Sequence, residues 1–133
     1  MQKLRFLGIF ICLTCLSCTK SNDDNSGTND PQVTAGKWKV SWFWDKDKEE
    51  TSDFNGYSFE FKSDGTLVAS LPDNSTKSGT WSVSSTKFII TIGGTYALDE
   101  MTDDWLLLEK SDNLIRLKDD NATHLEELHL EKI

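Results

Sequence analysis

Along most of the chain, apolar and polar residues alternate with a period of two. Between residues 37 and 45, large apolar side chains take the even positions and polar side chains take the odd positions, except at Phe43. This alternation is typical of a β-strand with one buried face, because on a helix the same apolar residues would spread around the circumference. We therefore predict a strand whose buried face consists of Trp38, Val40, Trp42 and Trp44. We expect Phe43 to be covered by a loop or to belong to an exposed patch.

Further strand-like segments follow at intervals of about ten residues, separated by turn residues. They cover residues 57–61, 67–71, 79–83, 88–92, 96–101, 105–109, 114–118 and 124–132. The last segment has two interpretations. Thr123-His124-Leu125-Glu126 would serve as the capping box of a terminal helix, whereas the alternation around Leu128 and Leu130 favours a strand. The pattern predicts eight or nine short antiparallel strands, a number that usually closes into a barrel or splits into a sandwich.

The N-terminal residues have a different composition. Residues 1–5 contain two basic residues and no acid, and residues 6–16 form an almost unbroken apolar run. These are the features of a secretory signal peptide, and the run is too short for a membrane-spanning helix, which needs about 20 apolar residues. Residues 19–32 contain no large apolar side chain, which is typical of a flexible segment. We predict a signal peptide over 1–17, a tether over 18–33 and one β domain over 34–133.

All three cysteines, Cys12, Cys15 and Cys18, lie in this N-terminal part, so the β domain can form no disulfide. Leu16-Ser17-Cys18 resembles the lipobox of bacterial lipoproteins, in which a small residue precedes the lipidated cysteine. The resemblance implies cleavage before Cys18 and acylation of that residue. Cys15 is a weaker alternative acceptor, and a plain secreted protein with one free thiol is the other interpretation. Two or more acyl chains make a stable membrane anchor.

The acidic sequence that follows Cys18 points to a location. Residues 20–24 are similar to the acid-rich export signal of lipoproteins of the Bacteroidota, which implies anchoring in the outer membrane and display at the cell surface. The charge of the whole chain fits an anchor made of lipid. With 14 basic and 22 acidic residues, the formal net charge is −8. This excess of acid argues against nucleic acid as a partner and against electrostatic adhesion to anionic lipid.

No motif for catalysis or for cofactor binding is recognisable. His124 and His129 are five residues apart, so one strand would direct them to opposite faces and could not bring both to one metal. Residues 45–49 begin like a calcium loop, but Glu50 and Gly56 occupy the positions where an EF-hand requires glycine and glutamate. A glycosidase-like pair of carboxylates from two different strands is the one enzymatic alternative. We expect a protein that is not an enzyme and that has neither a metal nor a cofactor.

Three motifs suggest a family. Gly36-Lys37-Trp38 resembles the Gly-x-Trp of lipocalins, and residues 57–66 and 79–81 are similar to the corresponding segments of lipocalin-like lipoproteins of the Bacteroidota. The resemblance implies an all-β, antiparallel up-and-down barrel of eight or nine strands. It also implies that Trp38 packs near the closed end beneath an arginine from a late strand, for which Arg116 is the candidate. Because the domain is shorter than typical lipocalins, we expect its cup to be shallow or filled.

The same resemblance implies a function in ligand binding. Trp42 and Trp44 lie farther along the first strand than Trp38, so we expect them nearer the open mouth, as contacts for a small apolar or glycan ligand. Tryptophans are also effective core-filling residues, and an eight-stranded barrel is just wide enough for side chains to fill it. The alternative is therefore a filled barrel that acts as a structural or protein-interaction module at the cell surface.

Overall fold

The structure is a computed structural model that describes residues 27–133. This part of the chain contains nine β-strands, two short α-helices and one 3-10 helix. In chain order they are α1 (Pro31–Thr34), β1 (Trp38–Asp45), β2 (Lys48–Glu49), the 3-10 helix (Thr51–Phe54), β3 (Ser58–Phe61), β4 (Thr66–Ser70), β5 (Thr76–Val83), β6 (Lys87–Thr91), α2 (Tyr96–Met101), β7 (Asp103–Lys110), β8 (Leu114–Lys118) and β9 (Glu127–Lys132). Neither α-helix is long and apolar enough to cross a membrane.

The strands form a closed antiparallel barrel. From β3 to β9 each strand pairs with its neighbour in sequence, and β1 pairs with both β3 and β9. The closing pair runs from Trp38 opposite Lys132 to Trp44 opposite Glu127. The short β2 pairs with the end of β1 as a hairpin, at Trp44 and Asp45. The barrel therefore has eight strands and one extra strand, as predicted, and β1 meets β3 only where Trp38 pairs with Phe59.

A β-bulge in β1 reverses the predicted orientation of half its side chains. The register against β9 shifts between Val40 and Trp42. Because an extra residue exchanges the two faces of a strand, Trp42 and Trp44 face outward and are only partly buried. The expectation of one aromatic face was wrong, since the alternation of residue types continues through the bulge while the backbone does not follow it. Phe43, which we expected beneath a loop or in an exposed patch, lies in the core and is 1% exposed.

Large side chains fill the barrel. The largest fully buried ones include Trp38, Trp105, Phe43, Phe59, Phe61 and Phe88. The buried indole N–H groups are satisfied by backbone carbonyls. Trp38 Nε1 donates to the Val33 oxygen at 2.9 Å, and Trp105 Nε1 donates to the Met101 oxygen at 2.9 Å. Three of the five tryptophans, Trp38, Trp81 and Trp105, are thus core residues, which agrees with the expectation of a shallow or filled cup.

Residues 96–101, predicted as a strand, form the helix α2. The hydroxyl of Thr95 accepts a hydrogen bond from the Leu98 N–H at 3.2 Å and caps the helix. This capping bond satisfies one of the amide groups that a helix leaves unpaired at its N-terminus. The buried side chains are Ala97, Leu98 and Met101, whose spacing matches one helical face, while Tyr96 is exposed. The prediction was wrong because a segment this short fits both periods.

Two further boundaries are fixed by the structure. The strand interpretation of the C-terminal segment is confirmed, with β9 beginning at Glu127. Part of the predicted tether packs on the barrel. Gly27 exchanges backbone hydrogen bonds with Val83, Asp30 caps α1 and pairs with Lys110, and Val33 is fully buried. Residues 27–33 therefore belong to the folded part, which we had expected to begin at 34. The predicted signal peptide and Cys18 lie outside the described residues.

Candidate functional site

The two outward tryptophans of β1 form an aromatic platform on the barrel wall. Their ring centroids are 6.0 Å apart and their planes differ by 19°. The indole N–H of Trp44 donates to the backbone oxygen of Lys46 at 3.2 Å. The ring of Trp42 lies 4.9 Å from the imidazole of His129 on β9. These contacts hold both rings in place with part of their surface open to solvent.

The platform forms one wall of a groove of about 400 Å³. We call it the Trp groove, and its lining residues are Trp42, Trp44, Lys118, Leu125, Glu126 and Glu127. Leu125 is 55% exposed and adds apolar surface opposite the rings. The groove thus combines two aromatic faces with one ammonium group and two carboxylates. Both tryptophans were expected as ligand contacts, but near the open mouth of the barrel interior and not on its outer wall.

Beside the groove, Arg116 belongs to a network of charged side chains. Its guanidinium lies 3.2 Å from Glu127 and 3.5 Å from Glu109, and His129 Nε2 lies 2.7 Å from the same Glu127 carboxylate. Burial alone would raise the pKa of Glu127, but the hydrogen bonds from His129 and Arg116 outweigh it and lower the pKa. Glu127 is therefore a fixed negative charge at the edge of the groove.

The expectation that Arg116 covers Trp38 was wrong. Lys132, at the end of β9, places its ammonium group 4.7 Å from the centroid of the Trp38 ring. Arg116 is directed outward because it alternates with the buried Ile115 and Leu117. Gly36 has a φ of 81°, a conformation that favours glycine, and the chain turns there into β1. The Gly-x-Trp motif thus shapes the end of the barrel that α1 covers, with a lysine where an arginine was expected.

The opposite end of the barrel is acidic. Past the bulge, Asp45 faces inward and is 7% exposed, and Glu50 and Asp119 are 8% and 9% exposed. We call this region, with Glu100 and Glu126, the acidic end. Glu50 forms an ion pair with Lys48. Within residues 27–133, however, Oδ1 of Asp45 and Oε2 of Glu50 are buried without a hydrogen-bond partner. Because most buried polar atoms are paired, these two oxygens are unusual.

The crowding of carboxylates also changes their protonation. Burial, followed by the charges of Asp45 and Asp119, raises the pKa of Glu126 to about 7. Burial and the charges of Asp45 and Glu50 likewise raise the pKa of Glu100. Both effects come from a low-dielectric site with like charges nearby. Near neutral pH, Glu126 is therefore shared between its charged and neutral forms.

The loop between β8 and β9 adds a histidine to this end. Ligand atoms of Asp119, His124 and Glu126 all lie within 4.8 Å of one another. Neither the two histidines nor the calcium-like residues 45–49, which were weighed as metal ligands from the sequence, predict this group. It forms because the loop folds back so that Asp119 N donates to the Glu126 oxygen at 2.9 Å. A second cleft, of about 640 Å³, lies between residues 27–31 and the Val83–Ser85 turn. Gly27, the first residue that the structure describes, lies at the border of this cleft.

Comparisons with known proteins give one finding. No protein-family model and no curated protein matches the chain. Among solved structures, a lipocalin-like protein from Bacteroides uniformis ATCC 8492 is similar, with a TM-score of 0.56 and 17% sequence identity. The match covers 76% of this chain and 99% of the other. The fold is lipocalin-like. At this identity the likeness shows the fold alone, and the site has to be argued from the residues of this chain.

Aromatic side chains occupy the interior of this lipocalin-like barrel. The bulge in β1 transfers Trp42 and Trp44 from the inner to the outer surface. The Trp groove therefore lies outside, along β1 and β9 and the loop that precedes β9.

Proposed function

We propose that this protein is a membrane-anchored lipoprotein that binds a glycan in the Trp groove and catalyses no reaction. The observation that carries the proposal is the pair of nearly parallel, partly exposed rings of Trp42 and Trp44, flanked by charged side chains. The lipocalin-like fold supports this proposal, because proteins with such folds generally bind ligands and are not enzymes. The fold alone does not define the ligand.

The groove suits a sugar better than a wholly apolar molecule. One face of a pyranose ring presents C–H groups, which pack on aromatic rings, while its edge presents hydroxyl groups. Glu126 and Glu127 can accept hydrogen bonds from those hydroxyls and Lys118 can donate to them, a division of roles typical of small-ligand sites. An apolar ligand would instead remove these charged groups from water without pairing them, which is unfavourable.

Binding is tested by calorimetric titration with chitotetraose, cellotetraose, xylotetraose and maltotetraose. We expect at least one of them to bind, and Trp44→Ala and Trp42→Ala each to weaken that binding at least tenfold. Ile133→Ala is the matched control, because Ile133 is also an exposed apolar residue but lies at the other end of β9. Affinity that survives both tryptophan substitutions would contradict the proposal, as would the absence of binding by every sugar.

Membrane attachment at Cys18 is tested separately. Residues 16–18 support it through their resemblance to a lipobox, and the acidic residues 20–24 support export to the outer membrane and the cell surface. In cells fed a labelled fatty acid, we expect label in the wild-type protein and in Cys15→Ser but not in Cys18→Ser. Digestion of intact cells with protease should remove the domain. A domain that persists on intact cells would refute surface display without affecting the anchor.

A second candidate function is a protein-interaction module, and it is compatible with the aromatic side chains that occupy the barrel interior because it needs no ligand inside the barrel. The two candidates use the same outer surface. They differ in what the tryptophan substitutions abolish. If neither substitution affects sugar affinity, yet both abolish crosslinking of the domain to one envelope protein in intact cells, the interaction module is the better description.

A further inference from the structure

The loop between β8 and β9, residues 119–126, is tied to the barrel end by its own backbone. Asp119 N donates to the Glu126 oxygen at 2.9 Å, and His124 N donates to the Asn121 oxygen at 3.1 Å. One carboxylate oxygen of Asp119 accepts the Asn121 N–H at 2.9 Å. This folding brings the side chains of Asp119, His124 and Glu126 to one place, with ligand atoms within 4.8 Å of one another.

Asp45 lies outside this group of three but approaches Glu126 from the barrel interior, and it provides an independent observation. Its carboxylate is close enough to Glu126 to help raise the pKa of that group. Asp45 is 7% exposed, and its Oδ1 is buried with no hydrogen-bond partner in the described part of the chain. In the part of the chain that the structure describes, its ion-pair partner is Lys46, whose Nζ is 3.9 Å away on a largely exposed side chain. A buried carboxylate oxygen normally binds a donor or a metal, and within residues 27–133 Oδ1 of Asp45 has neither.

We propose that Asp119, His124, Glu126 and Asp45 bind a divalent transition-metal ion, for which Zn²⁺ is the best fit. One imidazole and three carboxylates provide the four ligands of a tetrahedral site, and imidazole is a ligand typical of zinc and other transition metals rather than of Ca²⁺ or Mg²⁺. Zn–N and Zn–O bonds of about 2.0–2.2 Å require the ligand atoms to approach more closely than 4.8 Å. His124 is exposed, so its side chain can rotate to close that distance.

The site goes beyond the proposed function and does not depend on it. The two share Glu126, which lines the Trp groove and belongs to the ligand set. A bound metal would fix the loop that carries Leu125, and so the far wall of the groove. Sugar binding uses Trp42 and Trp44, whereas metal binding uses His124, so each proposal can fail while the other stands.

The test uses the full chain in detergent, without an affinity tag, and with Cys12, Cys15 and Cys18 replaced by serine to remove thiol ligands. After treatment with a chelator, the protein is titrated with ZnCl₂ by calorimetry and by NMR of the imidazole side chains. The chain has two histidines, so each imidazole can be followed. We expect one Zn²⁺ per chain, with the signals of His124 displaced and those of His129 unchanged.

Substitutions separate this site from other zinc binding. His124→Ala should raise the Kd for Zn²⁺ at least tenfold, and because His124 is exposed the variant should fold normally. His129→Ala, the matched control, should change the Kd less than twofold. Asp45→Asn should also raise the Kd at least tenfold. An unchanged Kd in His124→Ala, displacement of the His129 signals instead, or full displacement of Zn²⁺ by equimolar Ca²⁺ would each overturn the proposal.

Discussion

The two ends of the barrel are built from the same strands but differ in how their polar groups are paired. At the α1 end, Trp38 is fully buried, its indole N–H is bonded to Val33, and the Lys132 ammonium lies over its ring. At the acidic end, Asp45 and Glu50 are almost as well buried, yet among residues 27–133 each has a carboxylate oxygen without a hydrogen-bond partner. One end holds a neutral, paired ring and the other holds concentrated negative charge.

The difference shows that the α1 end stabilises the fold, whereas the polar groups available to a ligand lie toward the acidic end. Both ends are joined by β1, which starts at Trp38 and ends at Asp45. The bulge in its middle turns Asp45 inward and the two tryptophans outward, and so creates the acidic end and the Trp groove together. Unpaired buried groups lower stability, and in native proteins such departures concentrate at functional sites.

The largest effect should come from the stable end. Trp38→Ala removes a fully buried ring and leaves a cavity, so we expect a loss of about 3–5 kcal/mol of unfolding free energy, measured by urea denaturation. Trp44→Ala is the control, because it removes the same side chain from a partly exposed position on the same strand, and it should cost about 1 kcal/mol or less. Equal losses in the two variants would break the comparison between core and wall.

The second effect concerns pH at the acidic end. The folded-state pKa of Glu126 is about 7, above its ordinary value of 4.5, so the folded protein binds a proton more tightly than the unfolded chain. The stabilisation by that proton is complete below about pH 4.5 and is lost as the pH rises through 7. Allowing for solvent screening of a partly exposed group, we expect a loss of about 1–2 kcal/mol.

Urea denaturation in the presence of a chelator checks this prediction. Wild-type protein should lose stability between pH 5 and pH 8 relative to Glu126→Gln, which has no carboxylate at this position. Glu127→Gln is the matched control. Hydrogen bonds from His129 and Arg116 lower the pKa of Glu127, so its effect on the unfolding free energy changes at acidic pH and not between pH 5 and pH 8. A wild-type curve parallel to that of Glu126→Gln over this range would contradict a raised pKa at Glu126.

How far the sequence predicts this molecule depends on the scale of the feature. Alternation and turn residues predict the antiparallel strands, because each needs only local chemistry, and the choice of a closed barrel over a sandwich came from the resemblance to lipocalins. These local patterns do not reveal the bulge in β1, since residue types keep alternating through it and the side chains exchange faces there. Trp42 and Trp44 were therefore recognised as candidate contacts and assigned to the wrong side of the wall.

The cluster of residues at the acidic end could not be predicted from the sequence for a related reason. Asp45, Asp119, His124 and Glu126 come from β1 and from a loop that is distant in sequence, so only strand closure between β1 and β9 brings them together. Taken singly, each looks like an ordinary solvated charge. The covering of Trp38 shows the same limit, because Arg116 and Lys132 both lie in late strands and only the register decides which one reaches the ring.

A third effect tests the charge repulsion at the acidic end directly. In metal-free protein at pH 8, Asp45→Asn removes one buried negative charge beside Glu126 and replaces it with a group that can donate. We expect the variant to be more stable than wild type by about 1 kcal/mol, as measured by urea denaturation with a chelator present. Asp47→Asn, an exposed carboxylate in the neighbouring turn, should change stability by less than about 0.5 kcal/mol. A destabilised Asp45→Asn would show that the carboxylate is favourable where it stands.

The smallest effect returns to the stable end and tests its cation. Lys132 lies over Trp38 and also donates to the Gln32 oxygen at 3.1 Å. Lys132→Met keeps most of the apolar stem but removes the charge, so we expect a loss of about 0.5–1 kcal/mol, measured by urea denaturation. Lys39→Met is the control, because Lys39 is exposed on the outer face of β1 and, in the described part of the chain, its ammonium group lies over no aromatic ring. Lys132→Arg should restore most of the loss, since a guanidinium also stacks on an indole. If Lys132→Met and Lys39→Met are equally stable, the cation contributes nothing to the Trp38 end, and its stability comes from packing alone.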